Sequence, residues 1–348
     1  MNFVQVAIPS PLRQTFTYIN KANEDLLGKR VLVEFGRRKI IGVVVSDSDT
    51  FDGDYKLKNI IEVLDERPLF SNKLLKKIIS ISENYMHPLG IVVESFIPTF
   101  LRKAKPQKDL EKYVQNIETT SQFKNFHKLT EDQDQCLKAI KSSETGEILL
   151  SGITSSGKTE VYKHFIKTLI KKGKSALVLV PEIFLTPQIF HNFKESFGDI
   201  VFLHHSGLTS IQRIKVWLAA KNESPKIIIG TRSSVFLPVN NLGAVIFDEE
   251  HDQSYKQQEG FRYDAKKIAQ ILHGKITRLV YASATPSLNN IKRMRSGDIE
   301  SCSLTKRISD VPAPNISIHE VNKKQTTGGI SNDLLEKVIE NDNAGFQT

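Results

Sequence analysis

The chain has 348 residues, of which 39% are hydrophobic and 25% charged, a composition that excludes bulk disorder and suits a globular protein of two or three domains. No apolar run reaches the ~18 residues of a membrane-spanning helix, and the N-terminus lacks a signal peptide's pattern. We therefore expect a cytoplasmic protein without membrane contact. The formal net charge of +9 favours a polyanionic partner, because neutralising phosphates releases counterions. The two cysteines, Cys136 and Cys302, are too widely spaced for a disulfide framework or a cysteine-built zinc site in this chain.

Short strands are predicted for residues 1–64, and we expect residues 1–104 to form a small β-rich domain. Apolar residues alternate at the start, and two β-branched runs flank a turn-like GRRK, a pattern typical of strands. These segments are Val4, Val6 and Ile8, then VLVEF (31–35) and IIGVVV (40–45). A helix is predicted at about 71–86, with Ser71 as its cap. Its expected apolar face is Leu74, Leu75, Ile78, Ile79 and Ser82.

Residues 105–128 are polar, basic and weakly periodic, which indicates a linker. From residue 129 the pattern changes to apolar runs separated by amphipathic helical segments. The runs are ILL (148–150), ALVLV (176–180), KIIIG (226–230), AVIF (244–247) and RLVYA (278–282). Continuous apolar runs between helices indicate a parallel sheet buried on both faces. The predicted fold class is α/β, with a RecA-like P-loop lobe at 129–300 behind the β-rich domain, followed by a further segment at 301–348.

The strongest motif is GITSSGKT (152–159), which matches G-x-x-x-x-G-K-[ST] between a predicted strand and a predicted helix. Backbone N–H groups of such a loop cradle phosphates at the helix N-terminus. We expect Lys158 to contact the β- and γ-phosphates of ATP and Thr159 to ligate Mg2+. The expected nucleotide contacts of this segment are Gly152, Thr154, Ser155, Ser156, Gly157, Lys158, Thr159 and Glu160.

The acidic segment DEEH (248–251) ends the apolar run AVIF, where a carboxylate near a phosphate loop holds Mg2+. Asp248 is the predicted second magnesium ligand, and Glu249 is expected to activate the attacking water as a general base. His251 joins Lys158, Asp248 and Glu249 among the catalytic candidates. SATPS (283–287) follows another predicted strand, and its small hydroxyl residues can relay the phosphate state to a DNA-binding surface.

The order of these motifs, with LTEDQ (129–133) ahead of them, resembles superfamily 2 helicases, which implies that Gln133 reads the adenine edge. A helix-terminal polar residue is the alternative interpretation of Gln133. Longer segments resemble the motor lobe of the PriA family of replication-restart helicases. They are GITSSGKTEVY (152–162), LVPEIFLTPQ (179–188), HHSGL (204–208), IIIGTRSSVFLP (227–238), FDEEHDQSYKQQEGFRYDA (247–265) and SATPSL (283–288).

In that family the aromatic-rich loop after DEEH couples DNA to hydrolysis. Tyr255, Phe261 and Tyr263 could stack on unpaired bases while Lys256 and Arg262 hold phosphates. The alternative is a surface loop anchored by buried aromatic rings, Phe261 in particular. Further DNA-backbone candidates lie in GTRSS, in the PEI…TPQ segment and in the basic turn of the β-rich domain. They are Thr231, Arg232, Thr186, Gln188, Arg37, Arg38 and Lys39. Trp217 is predicted to pack in the core.

The first domain resembles the family's small domain that captures a DNA 3′ end, through the segments at 4–18, 33–45 and 84–103. Thr17 stands where the family often has an acidic residue, which puts 3′-end specificity in doubt. The linker stands where the family has a winged-helix domain. The sequence ends at AGFQT, before the family's zinc region, arginine finger and second motor lobe, so no zinc ligands are expected in it. We therefore expect nucleotide and DNA binding but weak ATP hydrolysis and no unwinding by this chain alone.

The resemblance implies an ATP-dependent 3′–5′ DNA helicase of replication restart that uses ATP and Mg2+. It also implies forked or single-stranded DNA, single-strand-binding protein and primosome proteins as partners. Two alternatives stay open: another superfamily 2 DNA translocase, and a DNA-binding or scaffold module with an inactive ATPase. DNA-stimulated ATP turnover would discriminate an active motor from a scaffold.

Overall fold

The computed structural model describes residues 2–21, 24–48, 51, 56–104, 110, 121–181, 186–274, 277–308, 316 and 326–346. Most of the predicted linker lies outside these ranges. Residues 1–308 form one compact unit and residues 309–348 a second. Among the helices of the described ranges, none combines the length and the apolar character needed to cross a membrane.

Five strands close a barrel at the start of the chain, in the order β1-β2-β5-β3-β4 with β4 pairing back onto β1. They are β1 (Asn2–Ala7), β2 (Phe16–Asn20), β3 (Arg30–Phe35), β4 (Arg38–Ser48) and β5 (Lys58–Val63). The predicted strands are confirmed, and their alternating apolar side chains fill the interior. Because Phe35 pairs with Arg38, only Gly36 and Arg37 form the turn between β3 and β4. Arg38 and Lys39 belong to β4, not to the turn as expected.

Two helices follow the barrel, α1 (Asn72–Asn84) and α2 (Leu89–Ser95), and then a short 3-10 helix, Thr99–Arg102. The Ser71 hydroxyl caps α1 by accepting the Leu74 N–H at 3.3 Å, as predicted. The buried side chains of α1 are Leu75, Ile78 and Ile81. Ile81, rather than the predicted Ser82, therefore completes the buried face.

A seven-stranded sheet forms the lobe, and every pair of neighbouring strands is parallel. The strands are β6 (Glu147–Gly152), β7 (Ser175–Leu179), β8 (Val201–His204), β9 (Ile227–Gly230), β10 (Leu242–Phe247), β11 (Arg278–Ser283) and β12 (Glu300–Leu304). Their order is β12-β6-β11-β10-β7-β9-β8. The helices are α3 (Glu131–Ser142), α4 (Lys158–Lys171), α5 (Thr186–Phe197), α6 (Ser210–Lys221), α7 (Ala265–His273) and α8 (Leu288–Arg295). This architecture is the α/β fold that the sequence predicts.

The two edge strands of the sheet, β8 and β12, were not anticipated. An edge strand has one unpaired side and needs less apolar sequence, and β12 alternates exposed and half-buried residues. Because β12 pairs with β6, the sheet extends to Leu304, beyond the expected boundary at residue 300. This strand also brings Cys302 against Cys136 of α3, and the two thiols hydrogen-bond to each other. Both cysteines are free.

The second unit contains a small hairpin and a helix. The hairpin strands are β13 (Thr326–Thr327) and β14 (Ile330–Ser331), followed by α9 (Asn332–Asn343). Gly328 and Gly329 form the turn with φ of 63° and 86°, values that glycine adopts without strain. The Ser331 hydroxyl caps α9 by accepting the Leu334 N–H.

A buried ion pair ties the barrel to the segment that leads into the lobe. Arg30 of β3 and Asp65 are both fully buried and lie 2.6 Å apart, and the Arg30 backbone N–H also donates to the Asp65 carboxylate. The Arg30 guanidinium donates to the carbonyl of Leu101 at 2.5 Å. Because every polar group of this pair has a partner, it holds Thr99–Arg102 against the barrel.

Replacing Asp65 with Asn should destabilise the protein by about 3–5 kcal/mol, because the Arg30 guanidinium stays buried without its counter-charge. The matched control is Lys58→Gln, which removes a surface pair with Glu34 whose side chains are 43% and 51% exposed. It should cost at most about 1 kcal/mol. Urea unfolding of both variants measures the difference, and equally small losses would contradict the anchoring role of Asp65.

Candidate nucleotide site

The phosphate loop, residues 152–159, joins β6 to the N-terminus of α4. Ser155 and Gly157 have φ of 64° and 82°, so the loop turns tightly before the helix begins. No side chain caps α4, which leaves its first N–H groups available to an anion. The Lys158 ammonium donates to the carbonyl of Gly152 at 2.8 Å and lies 3.5 Å from that of Ile153. The loop therefore encloses the cation expected to meet the phosphates.

Glycine is required at position 157 for a second reason. A Cβ atom there would lie 2.4 Å from Nε2 of Gln133 and 2.5 Å from Cδ1 of Ile308. Gln133 is buried, accepts the Thr130 N–H at 2.9 Å within a capping box, and donates to the Ser156 carbonyl at 2.9 Å. Both polar atoms of its amide are thus used inside the protein. In this structure Gln133 supports the phosphate loop from α3 and does not present its amide to an adenine.

The other predicted contacts of the loop divide into two groups. Thr154 and Ser155 are exposed on the loop, whereas the Ser156 hydroxyl is buried. Glu160 turns away from the loop, and its contact with a nucleotide stays a prediction. Its carboxylate pairs with Lys163 and His164 of the same helix and accepts the His127 N–H at 3.0 Å.

The predicted magnesium ligands come together through a residue that was not predicted. Tyr162 of α4 is fully buried, and its hydroxyl lies 3.4 Å from the Thr159 hydroxyl and hydrogen-bonds the Asp248 carboxylate. Burial and the neighbouring charge of Glu249 raise the pKa of Asp248 to about 6, against the opposing effects of Tyr162 and Lys158. In the sequence, Tyr162 has the pattern of a core residue. Only the position of its hydroxyl in the structure identifies it as part of the site.

Residues chemically suited to hold magnesium are Thr159 and Asp248, an oxygen donor set of the kind that the ion prefers. Within the described ranges, no three His, Cys, Asp or Glu side chains converge on a candidate metal centre. Magnesium usually binds through one or two protein ligands together with nucleotide phosphates. The donor set next to an uncapped helix N-terminus therefore fits Mg2+ bound with a nucleotide.

The rest of DEEH connects the carboxyl edge of β10 to the SATPS segment. Glu249 has φ of 44°, an uncommon value for a non-glycine residue. Its carboxylate lies 3.6 Å from Nδ1 of His251, which in turn lies 2.8 Å from the Ser283 hydroxyl. DEEH and SATPS are therefore in direct contact through His251 and Ser283.

Glu250, which the sequence analysis left without a role, is the most buried member of DEEH. Its carboxylate accepts the backbone N–H and the hydroxyl of Ser287 at 2.7 and 3.1 Å. It also pairs with Lys266 of α7 at 3.1 Å, and Lys266 lies 5.9 Å from the centre of the Tyr255 ring. The position of Glu250 in an acidic run directly after the apolar run AVIF is the sequence signal that could have identified this residue.

The aromatic loop, residues 252–263, departs from the expected stacking surface. Tyr255, Phe261 and Tyr263 are 1%, 7% and 6% exposed, so in this structure their rings are not available to stack on bases. The Tyr255 hydroxyl lies 2.7 Å from the carbonyl of Leu179 and 2.5 Å from that of Asp248. The alternative reading, a loop anchored by buried rings, describes all three aromatics. Lys256 and Arg262 are exposed between them.

Phe261 links this loop to the first domain. Its ring stacks on His87 with centroids 4.9 Å apart and meets the edge of Tyr85 at 5.5 Å. The Tyr85 hydroxyl accepts the Asp264 N–H at 3.0 Å. The aromatic loop therefore contacts the backbone of Asp248 at one end and the residues after α1 at the other.

Arg232 also has partners inside the protein, and its predicted phosphate contact stays a prediction. Its guanidinium donates to the carbonyls of Ser254 and Lys256 at 2.9 and 3.3 Å and hydrogen-bonds the Tyr263 hydroxyl. It thus fastens the aromatic loop to the end of β9. Of the other DNA candidates, Arg37, Arg38, Lys39 and Gln188 are exposed and Thr231 is half-buried. Thr186 begins α5, but its side chain lies outside what the structure describes.

A phosphate loop, oxygen donors suited to magnesium and a second motif in contact with them, at one edge of a parallel sheet, are the features of the nucleotide-binding lobe of a helicase-type motor. In agreement, the model of the DEAD/DEAH box helicase family matches residues 130–294, and that of the PriA 3′ DNA-binding domain matches residues 5–98. The replication restart protein PriA of Haemophilus influenzae is 31% identical over an alignment of 412 residues, gaps included. The alignment covers 97% of this chain and 56% of that protein. PriA of Rickettsia felis is 33% identical over 315 residues, with 90% and 47% covered. The chain belongs to the PriA family, and it spans about half the length of these relatives.

Magnesium binding to the nucleotide-loaded chain should weaken about tenfold for each pH unit below about 6, because protonated Asp248 cannot ligate the ion. Calorimetric titration of Mg2+ between pH 5 and 8 measures this. Asp248→Asn is the control. It should bind Mg2+ weakly at every pH, and its remaining pH dependence should be that of the nucleotide phosphates. An identical pH dependence in both proteins would contradict the role of Asp248.

In Tyr162→Phe, the pH below which Mg2+ binding weakens should rise by up to about one unit. The hydrogen bond from Tyr162 favours the carboxylate form of Asp248, so its loss should raise the pKa of that carboxyl group. Phenylalanine fills nearly the same volume, so the variant should fold. The same titration against the wild type measures the shift. An unchanged pH dependence of Mg2+ binding would show that Tyr162 has only a packing role.

Proposed function

We propose that this chain binds ATP with Mg2+ in the phosphate loop and couples nucleotide state to a bound DNA strand. In the whole protein this motor is an ATP-dependent 3′–5′ DNA helicase of replication restart. The observation that carries the proposal is the aromatic loop, which contacts both the backbone of Asp248 and the first domain.

The nucleotide half of the proposal assigns a task to each residue of the site. Lys158 leaves the loop carbonyls to meet the β- and γ-phosphates, and the uncapped N–H groups of α4 hold their oxygens. Thr159 and Asp248 hold Mg2+, which when bound neutralises charge on the phosphates. Glu249 orients and deprotonates the attacking water. His251 passes the arrangement of this carboxylate to Ser283.

The coupling half follows from Tyr255 and Phe261. A shift of the Asp248 backbone moves the Tyr255 hydroxyl that hydrogen-bonds it, and the buried rings of Tyr255 and Phe261 are packed too tightly to absorb the motion. Lys256 and Arg262 lie on the same loop and face solvent, where they meet DNA phosphates. Arg37, Arg38 and Lys39 present further cations on the barrel. Phe261 carries the displacement to the residues after α1.

The relatives' name, replication restart protein, supports a role at replication forks. We propose forked or single-stranded DNA as the substrate and single-strand-binding protein and primosome proteins as partners of the whole protein. Zinc belongs to the whole family member and has no assigned ligands in this sequence. The intact set of Lys158, Thr159, Asp248 and Glu249 argues against a scaffold with an inactive ATPase. The aromatic loop and barrel favour this family over other superfamily 2 translocases.

Lys158→Ala should reduce the affinity for Mg·ATP by about two orders of magnitude or more, because the loop loses its only phosphate-facing cation. Forked DNA with a free 3′ end should change nucleotide affinity and turnover in the wild type but not in this variant. Equilibrium nucleotide binding and steady-state phosphate release, with and without the fork, measure both effects.

The matched control is Lys172→Ala, an exposed lysine at the far end of α4, which should behave as the wild type. Unchanged nucleotide binding in Lys158→Ala would refute the assigned site. Nucleotide binding without any effect of DNA would leave an ATP-binding module and refute the coupling. The weak turnover expected of this chain stays a prediction that the same assay addresses.

A further inference from the structure

A cavity of about 250 Å³ lies where the segment after α2 meets the lobe. One wall is formed by residues 95–99 and Arg102, and the opposite wall by α6. Residues 204–206 at the end of β8, Ser233 of the GTRSS loop, and Phe236 and Leu237 complete the lining. We name it the junction cavity. No residue of the nucleotide site lines it.

Two buried nitrogen donors in the α6 wall have no hydrogen-bond partner within the described ranges. They are Nε of Arg213 and Nε1 of Trp217, and the Trp217 side chain is 3% exposed. Positions four apart lie on the same face of a helix, so both donors belong to the wall of this cavity. Buried N–H groups in folded proteins nearly always have an acceptor. Two orphaned donors side by side therefore indicate a missing acceptor.

The charge of the cavity favours an anionic acceptor. Arg213 takes part in none of the ion pairs found in the described part of the chain. Arg102 has only a long pair with Glu94, at 3.8 Å, and donates its Nε–H to the Ile97 carbonyl. Burial, followed by Arg213 and His205, lowers the pKa of His204 to about 4, so this imidazole is neutral near pH 7. Within the described ranges, Arg102 and Arg213 thus have a single acidic partner between them, the Glu94 carboxylate 3.8 Å from Arg102.

The position of the cavity identifies the source of the anion. One wall continues from the segment that matches the 3′ DNA-binding domain, which ends at residue 98. The other wall belongs to the lobe, beside the GTRSS loop. A DNA strand that touches both modules has to cross this junction, and its phosphates are acceptors that arginine binds with two parallel N–H groups.

We propose that the junction cavity binds one phosphodiester group of a DNA strand that runs from the barrel domain to the lobe. Arg213 and Arg102 neutralise the phosphate, and the indole N–H of Trp217 donates to one of its oxygens. This inference rests on the proposed DNA binding and adds a site to it. Phosphate contacts of this kind position the strand without reading its sequence.

Trp217 is the only tryptophan of the chain, so its fluorescence reports on this cavity alone. Titration with an unstructured oligothymidylate should produce a saturable change in Trp217 emission. Arg213→Gln should remove that change and weaken binding about tenfold, as followed independently by anisotropy of a labelled oligonucleotide. The slope of log K against log salt should fall by about 0.7, the value for one phosphate contact with a single strand. Trp217→Phe keeps a ring but loses the donor and should also weaken binding.

Lys215→Gln is the matched control, because Lys215 is exposed on the same helix and lies outside the cavity lining. It should keep the emission change. Nucleotide affinity of Arg213→Gln should equal that of the wild type, which shows that the variant is folded. Inorganic phosphate is the second ligand, and an emission change at millimolar phosphate that oligothymidylate does not produce would overturn the assignment to DNA.

Oligothymidylate binding that leaves Trp217 emission unchanged, with equal affinity in Arg213→Gln, would overturn the site while DNA binding stands. No DNA binding by the wild type would overturn this site together with the DNA half of the proposed function. Nucleotide binding would remain as a separate result in that case.

Discussion

The carboxyl edge of the parallel sheet is the constraint on which the rest of the site depends. Parallel strands end at the same edge, so the phosphate loop after β6, the DEEH segment after β10 and SATPS after β11 meet there. The Asp248 N–H donates to the Leu179 carbonyl and the Glu250 N–H to that of Ala282, which ties the end of β10 to both neighbouring strands. Each functional segment is therefore held in place by backbone hydrogen bonds, independently of its side chains.

The aromatic loop gains its importance from being buried. Rings that stacked on DNA would respond to DNA alone, whereas Tyr255 touches the backbone of Asp248, the proposed magnesium ligand, and Phe261 packs on His87. Arg232 fastens the loop from the side. Closely packed elements transmit displacement because they cannot deform continuously. The loop therefore has the contacts that coupling requires, while its exposed cations, Lys256 and Arg262, remain on the surface.

The first domain and the lobe are joined by contacts of different chemical kinds. Phe96 packs against Phe236 with centroids 4.9 Å apart, and Lys77 donates to the carbonyl of Leu272. Within the first domain, Arg30 and Asp65 hold the barrel to Leu101, just before the lobe. The junction cavity lies within this contact region and leaves Arg213 without a counter-charge.

The sequence by itself determined the α/β class, five of the seven lobe strands, three of the five barrel strands, and the identity of the phosphate loop and DEEH. Apolar runs and loop motifs are local patterns, so they can be recognised in the sequence without knowledge of the fold. Tertiary structure alone decided that Tyr162 joins Thr159 to Asp248 and that Glu250 is a buried link. It also turned Glu160 away from the site, used Gln133 and Arg232 inside the protein, and brought Cys136 against Cys302. These outcomes depend on which distant residue a side chain meets, and burial and partner are properties of the folded chain rather than of neighbours in sequence.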